Sequence, residues 1–401
     1  MRPQREHSDA GARAAAAESL IRAFLERTGV TGSAPSRRYL WTDAYAVLAL
    51  VGLHGRTSRQ EHLDSALALV TRVHHELGKF RVDDARTGWI SGLSEQDGQR
   101  RPTAGGLRIG KPDPERPPGA MLDERMEWDR DGQYFHYLTK WMLALNRLSH
   151  ATGNPTWNDW AVDLALAAWP AFAAMPDRAG SPRMHWKMST DLSRPLVASM
   201  GHHDPLDGLA TFAQLRASQR MLGGSRSHGA LDDAWGDMLA MCEQSHSWAT
   251  TDPLGIGGLL LDLSVIVQLK AQGACEAGHT LERALIDAVR SLDALDSSGD
   301  LERPMQGRLP FREIGLAIGL HAADSMRPAM LHAQSRFGSA RDAARLLGSV
   351  QAIIGHMAIG EGIERCWLDP FAQALPAWHN HEDINAAMLA ASLVPDACIR
   401  P

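Results

Sequence analysis

The chain has 401 residues, with 41 Lys and Arg against 47 Asp and Glu and a formal net charge of −6, so it lacks the basic excess that binding a phosphate backbone requires. The stretch 1–17 is charged without an apolar h-region, and no run of about 18 apolar residues occurs, which predicts a cytoplasmic chain with neither a nucleic-acid nor a membrane partner. Cys242, Cys275, Cys366 and Cys398 stand far apart without CxxC spacing, which argues against a zinc knuckle or a disulfide framework and predicts reduced, mostly buried thiols.

Ala and Leu dominate, and β-branched and aromatic residues are few and rarely alternate, so the chain is expected to be all-α. Its elements alternate. An amphipathic segment at 10–27 is followed by the polar cluster Trp41-Thr42-Asp43, which opens into the apolar run 44–53. The same order returns five times: 58–77 precedes Asp129-Arg130-Asp131, 156–173 precedes His202-His203-Asp204, and 229–245 precedes Thr251-Asp252-Pro253. Then 281–292 precedes Arg312-Glu313, and 339–354 precedes His381-Glu382-Asp383 with its apolar run 385–393. Wet outer helices thus alternate with helices apolar on nearly every side, and short links favour antiparallel hairpins. The simplest closed arrangement is an (α/α)6 toroid, a double ring of helical hairpins whose inner N-termini open on one rim. The clusters are spaced from 48 residues (Asp204 to Asp252) to 88 (Asp43 to Asp131), unlike a solenoid's fixed period, which implies long rim loops. No Ser/Gly-rich linker divides the chain, so residues 1–401 are read as one domain, with 79–126 as a long rim loop or lid.

On this repeat, and on segments such as Trp41-Thr42-Asp43-Ala44-Tyr45 and Glu127-Trp128-Asp129-Arg130-Asp131-Gly132-Gln133-Tyr134, the chain resembles the six-hairpin glycosidase superfamily. That superfamily of (α/α)6 toroids includes glycoside hydrolases, unsaturated uronyl hydrolases and sugar epimerases. The resemblance implies the fold and a small saccharide or glycoside as substrate; it assigns no catalytic residue.

Sugar rings are bound on flat apolar faces with charged groups at their hydroxyls, and Trp supplies such faces. The chain uses twelve Trp against four Tyr. Trp41, Trp89, Trp128, Trp186, Trp367 and Trp378 fall in or beside the proposed rim loops, where each is a stacking surface or a core residue. Tyr134, Lys187, Asp207, Glu313, His379 and His381 share those segments and are candidate substrate contacts, although Glu313 can equally pair with Arg312. Within 79–126, Arg100, Arg101, Arg108 and Lys111 can meet a carboxylate or phosphate on the substrate or simply be solvated. The GxxxxGK match at 105–111 is no P-loop, because Pro112 stands where Ser or Thr must hold magnesium and no strand precedes it.

Inverting hydrolysis needs a protonated carboxyl at the leaving oxygen and a carboxylate about 6.5–9.5 Å away that activates water, whereas retention needs about 5 Å. Glu124, Glu127, Asp129 and Asp131 crowd one loop, so mutual repulsion can keep one protonated. Glu127, beside Trp128, is the first choice for general acid and Asp129 the substitute, while Asp131 either touches substrate or caps the helix that follows. Asp43, Asp204 and Asp383 are candidates for base or hydroxyl ligand, or for N-caps. A rival reading places His202 and His203 opposite His379 and His381 for cofactor-free epimerisation or isomerisation. A third is a saccharide-binding protein without turnover. His379-x-His381 with Glu382 and Asp383 is weak as a metal site, so neither metal nor cofactor is expected.

Overall fold

A computed structural model describes residues 2–174, 183–224 and 228–401. The helices are, in chain order, α1 (Arg2–Arg27), α2 (Leu40–Thr57), α3 (Gln60–Leu77), the short α4 (Glu95–Arg100) and α5 (Glu124–Glu127), α6 (Phe135–Thr152), α7 (Thr156–Phe172), α8 (Asp204–Leu222) and α9 (His228–Gln244). There follow α10 (Pro253–Gln272), α11 (Thr280–Ser298), α12 (Pro310–Asp324), α13 (Met326–His332), α14 (Ala340–Ile354), α15 (Met357–Leu368), α16 (Pro370–Gln373), α17 (Pro376–His379), α18 (Glu382–Leu393) and α19 (Asp396–Ile399). Five short strands join them: β1 (Gln133–Tyr134), β2 (Ala173–Ala174), β3 (Arg183–Met184), β4 (Lys187–Met188) and β5 (Pro195–Val197). The class is all-α, and each of the twelve expected helices is present. Besides short helices of seven residues or fewer, one further helix, α15, is unexpected, because Gly360 and Gly362 lower its helix propensity. Tertiary packing outweighs that cost, since Ile363 and Trp367 are buried and Gly360 lies against Ala317 and Leu320 of α12. Trp367, expected beside a rim loop, is therefore a core residue with no exposed surface.

The described residues form two units interleaved along the chain: Met1–Leu25, Leu48–Leu63 and Ser245–Pro401 make one, Glu26–Val47 and Asp64–Gln244 the other. In the first, α10 is capped by Asp252, which accepts from the Gly255 N–H at 3.2 Å; Pro253 opens the helix, and Gly273 closes it at φ 75°. By length and composition α10 could cross a membrane, but 67% of its apolar window is buried in the fold, where it packs on α11 and α12. The second such stretch, Ala340–Leu368, is broken at Gly355 and His356 into α14 and α15. Glu364 of α15 ties this unit together: Arg13 of α1, at 2.6 Å, His321 of α12, at 2.8 Å, and Ser392 of α18, at 2.6 Å, converge on its carboxylate. Burial alone would raise this carboxyl, but hydrogen bonds from His321 and Arg13 outweigh it and hold the pKa at about 2.

In the second unit α6 pairs with α7 and α8 with α9, and α6 packs on α8. The two-residue β1 runs antiparallel to β4, with Tyr134 opposite Lys187, and β4 pairs with β5. A strand this short carries no periodic signal, yet it sets the direction in which α6 starts. The segment 79–126 is packed in its first part, where Trp89, Leu107, Arg108 and Ile109 are buried and the Trp89 indole donates to Glu95 at 3.0 Å, whereas 117–126 is exposed throughout. Of the four cysteines, all free, Cys242, Cys275 and Cys398 are buried and Cys366 is half-buried.

The contact between α10 and α12 depends on missing side chains. A Cβ on Gly257 would strike the Gly315 carbonyl, and one on Gly319 would strike the Gly257 carbonyl, whereas Gly258 faces open space. Gly257→Ala should destabilise by about 1–3 kcal/mol through forced separation of the two helices. Gly258→Ala should stabilise by up to about 1 kcal/mol by helix propensity alone. Chemical denaturation of the two variants checks the contrast, and equal effects would refute the close approach.

Candidate active site

Three predicted helix heads in the second unit, at Trp41, at 129–136 and at His203-Asp204, converge on one aromatic and ionic cluster. Its foundation is Lys187, whose side chain is wholly buried and whose Nζ donates to the Glu127 carbonyl at 2.7 Å and the Arg130 carbonyl at 2.8 Å. The same Nζ pairs with Glu127 Oε1 at 3.0 Å, and Arg116 donates to Glu127 Oε2 at 3.1 Å. Asp131 is fully buried and accepts from Arg108 at 2.5 Å and from the Gly110 and Gly132 N–H groups at 3.0 Å each. Arg108 spends its other N–H groups on the carbonyls of Lys79 and Glu76, so one guanidinium fastens 79–126 to the head of α6.

Above this base stand the rings. Tyr134 stacks on His136 at 5.4 Å and lies 5.2 Å from Trp186, which is nearly parallel to His136, at 12° and 6.4 Å. Trp41 approaches His136 at 6.0 Å and Tyr137 at 5.1 Å; Trp128, half-exposed, meets Trp186 edge-on at 5.4 Å. His136 then faces an acid: its Nδ1 lies 3.7 Å from Asp204 Oδ1 at the start of α8. That His136 nitrogen and Asp204 Oδ2 are buried without a hydrogen-bond partner, although 26% of the His136 side chain stays accessible, so the ring is enclosed yet reachable.

Burial, and then the neighbouring Asp207 charge, push the Asp204 carboxyl up to about 7. Asp207, one turn along α8, takes the local cation for itself, accepting from Lys140 at 2.9 Å and Thr139 at 2.6 Å. Desolvation lowers His136 to about 4, so its imidazole is neutral at physiological pH. A protonatable carboxyl near neutrality beside a neutral imidazole can give and take a proton.

Of the residues expected from sequence, Trp41, Glu127, Trp128, Asp131, Tyr134, Trp186, Lys187, Asp204 and Asp207 are gathered here. Glu127 and Asp131 are occupied by cations, and Asp131 caps no helix, since β1 intervenes before α6. Asp129 is exposed. Asp43 is buried against Arg38 at 3.1 Å and accepts from the Tyr39 N–H at 3.1 Å, which places it in the helix-start role. Trp89 is inside the 79–126 segment, under the Lys79 ammonium. His202 and His203 meet each other at 4.7 Å with their rings tilted by 42°, and His202 is exposed. Glu313, Trp378, His379, His381 and Asp383 belong to the other unit. There Glu313 is held by Arg308 at 2.6 and 2.7 Å, not by Arg312, and accepts from the Trp367 indole at 2.8 Å. Arg312 pairs with Asp252 at 2.7 Å. Trp378 is buried and stacks on Trp367; His379 is exposed, 4.0 Å from Glu382; His381 lies edge-on to Phe311 at 5.3 Å; Asp383 is half-buried.

Sequence reasoning missed His136, Tyr137 and Lys140. The available signal was the run Tyr134-Phe135-His136-Tyr137, which holds two of the chain's four tyrosines directly after the acidic loop. Among the described residues one further cluster has metal-ligand spacing, Glu18, Glu61 and His62 within 4.8 Å, but both glutamates already pair with Arg59.

No family model matches the sequence, and no curated protein matches it. Solved structures with related folds include a cellobiose 2-epimerase from Spirochaeta thermophila, at 11% identity and TM-score 0.42, covering 81% of this chain and 87% of that one. A sugar epimerase from a ruminal bacterium shows 9% identity and TM-score 0.41, covering 80% and 75%. A polysaccharide lyase shows 12% identity and TM-score 0.32, covering 69% and 82%. Likenesses this distant transfer no residue roles, and the chemistry of the site rests on its own geometry.

Asp204 is neutral in the fold below about 7 but ionises above 3.8 when unfolded, so its contribution to stability is full at low pH and lost as pH rises towards about 7. That displacement, from 3.8 to about 7, corresponds to about 4 kcal/mol. Asp204→Asn should therefore be more stable than the parent at pH 8, by up to about 4 kcal/mol, with the advantage vanishing near pH 4. Urea unfolding at the two pH values decides; an equal difference at both would show that Asp204 is not held neutral.

Proposed function

We propose that this protein is a carbohydrate-active enzyme of the six-hairpin type that moves a proton on a small saccharide. Asp204 is the acid–base group, neutral His136 the hydrogen-bond donor that faces it across the site, and Trp128 and Trp186, backed by the buried Trp41 and Tyr134 rings, the surface on which the sugar lies. The observation that carries this reading is the facing pair itself, Asp204 Oδ1 and His136 Nδ1 at 3.7 Å, beneath an aromatic wall. Aromatic faces suit the C–H side of a sugar ring, and an incompletely bonded acid–base pair whose imidazole stays reachable suits its hydroxyl and carbonyl end.

The reaction class follows from charge. The carboxylates near Asp204 are engaged, Asp207 by Lys140, Glu127 by Lys187 and Arg116, and Asp131 by Arg108. The two-carboxylate mechanism of hydrolysis thus lacks an uncommitted second partner here, whereas aldose–ketose isomerisation needs one group that carries a proton between adjacent carbons. The Asp204 carboxylate takes the proton from the hydroxyl-bearing carbon beside an open-chain carbonyl; the C–H electron pair becomes the carbon–carbon double bond, and the carbonyl π pair moves onto its oxygen, which takes the proton of the neighbouring hydroxyl. Asp204 then returns its proton to the former carbonyl carbon as the electron pair left on the other oxygen forms the new carbonyl, so atoms and charge balance. His136, neutral throughout, donates a hydrogen bond to the oxygen on which charge develops.

One observation favours a second reading: a carboxyl raised to about 7 is also what a glycosidase general acid requires. A panel of aldoses, ketoses and disaccharides in D2O, followed by NMR, separates the two. Isomerisation should place deuterium at C1 or C2 of recovered sugar, with kcat/KM rising through about pH 7 as Asp204 ionises. Asp204→Asn should lower the rate by about 10²–10⁴-fold. Release of a shorter sugar without exchange would select hydrolysis, and turnover untouched by Asp204→Asn would remove Asp204 from the mechanism.

A further inference from the structure

Among the basic residues of 79–126, one half-buried ammonium beside the candidate active site stands apart. Of the four basic residues in 79–126 that can address an anionic substrate, Arg100 pairs with Asp97 at 3.6 Å, Arg101 with Asp163 at 2.9 Å, and Arg108 with Asp131. Lys111 does not follow them. Among the described residues no carboxylate lies within ion-pair distance of its Nζ, which sits instead 5.5 Å above the Tyr39 ring. Asp129 and Asp131 act on it only through space, and burial lowers its pKa because the ammonium loses water without gaining a salt bridge. A desolvated, uncompensated cation costs free energy that an anion recovers on binding.

Its position is fixed rather than incidental. The Lys111 carbonyl accepts from Arg81 at 2.7 Å, and the preceding Gly110 N–H donates to buried Asp131 at 3.0 Å. Gly110 has φ 90°, and a Cβ there would strike the Arg38 carbonyl, so the backbone carrying Lys111 is clamped on both sides. From Tyr39 the path to the reacting pair is one ring long. The Tyr39 and Tyr137 hydroxyls hydrogen-bond at 2.6 Å, and Tyr137 touches His136 at 4.9 Å and Trp41 at 5.1 Å.

We infer that the saccharide taken by this site carries an anionic group, a carboxylate or a phosphate, and that Lys111 over the Tyr39 ring receives it. The inference rests on the placement of the sugar on the Trp128 and Trp186 faces, and it names the substrate class for that reading. A carboxylate marks a uronic acid and a phosphate a sugar phosphate, two sources of one recognition chemistry.

Titration calorimetry of the full-length protein with D-glucuronate, D-glucose 6-phosphate and D-glucose tests it. At low salt at least one charged sugar should bind tenfold or more tightly than glucose, and the preferred one identifies the anion. Lys111→Met should abolish that advantage while leaving glucose binding unchanged, and Lys111→Gln should do the same if the Met variant proves unstable. Charged sugars that bind no tighter than glucose, an advantage that survives both substitutions, or no sugar binding at millimolar concentration would each overturn the inference. Asp204→Asn should retain the charged-sugar preference. Loss of exchange chemistry and loss of Lys111 selectivity are therefore separate results, and either proposal can fail alone.

Discussion

The site depends on one buried ammonium. Lys187 has no exposed surface; its Nζ donates to two carbonyls of the 127–130 turn and lies 3.0 Å from the Glu127 carboxylate. Burying a charge is costly unless it is paired and hydrogen-bonded, and Lys187 has both an ion pair and two hydrogen bonds. The consequence is geometric. With Lys187 fixed opposite Tyr134 in the β1–β4 register, the adjacent Trp186 is carried to the Tyr134 ring, and the Lys187 ammonium sits 5.3 Å over that same ring. A two-residue strand pair would not hold such an arrangement by backbone hydrogen bonds alone. The ion pair supplies the specificity, and the aromatic wall follows from it.

Electroneutrality then decides which acid is left to react. Lys140 offers one positive charge to the first turn of α8, where Asp204 and Asp207 stand three residues apart. Asp207 receives it together with the Thr139 and Thr211 hydroxyls, so Asp204 has a negative neighbour and no cation of its own. Reactivity at Asp204 is thus a property of a three-group set rather than of one side chain.

How much of this could be read in the sequence varied with the kind of signal. Apolar periodicity and polar helix starts marked each long helix but α15, because burial of a whole face repeats over many residues. It also gathered Trp128, Tyr134, Trp186 and Asp204 into candidate segments. What the sequence does not encode locally is which cation meets which acid. Glu127, in an acidic loop, suggests a protonated carboxyl; in the fold Lys187, sixty residues on, and Arg116 claim it. Glu313 next to Arg312 suggests a local pair, whereas Arg308 reaches it from the extended backbone just before α12. His136 was hidden by its position inside an apparently ordinary helix start, and the two-residue strand that aims it is too short to leave a pattern.

The two groups of the reacting pair are displaced in opposite directions, and that sets their working range. His136 stays neutral in the fold down to about 4, whereas in the unfolded chain it binds a proton below 6.5, so its contribution to stability is lost as pH falls through this interval. Asp204 does the reverse, losing its contribution as pH rises from 3.8 to about 7. Over most of that range the two dependences oppose each other, and the pair is held neutral on both sides at little net change in stability. Above about 7 one proton leaves and a single negative charge appears on Asp204, facing an imidazole that is free to donate through Nδ1. A desolvated pocket tolerates one such charge more readily than two, so the second proton donor must be a neutral one, and the depressed basicity of His136 is what keeps it so.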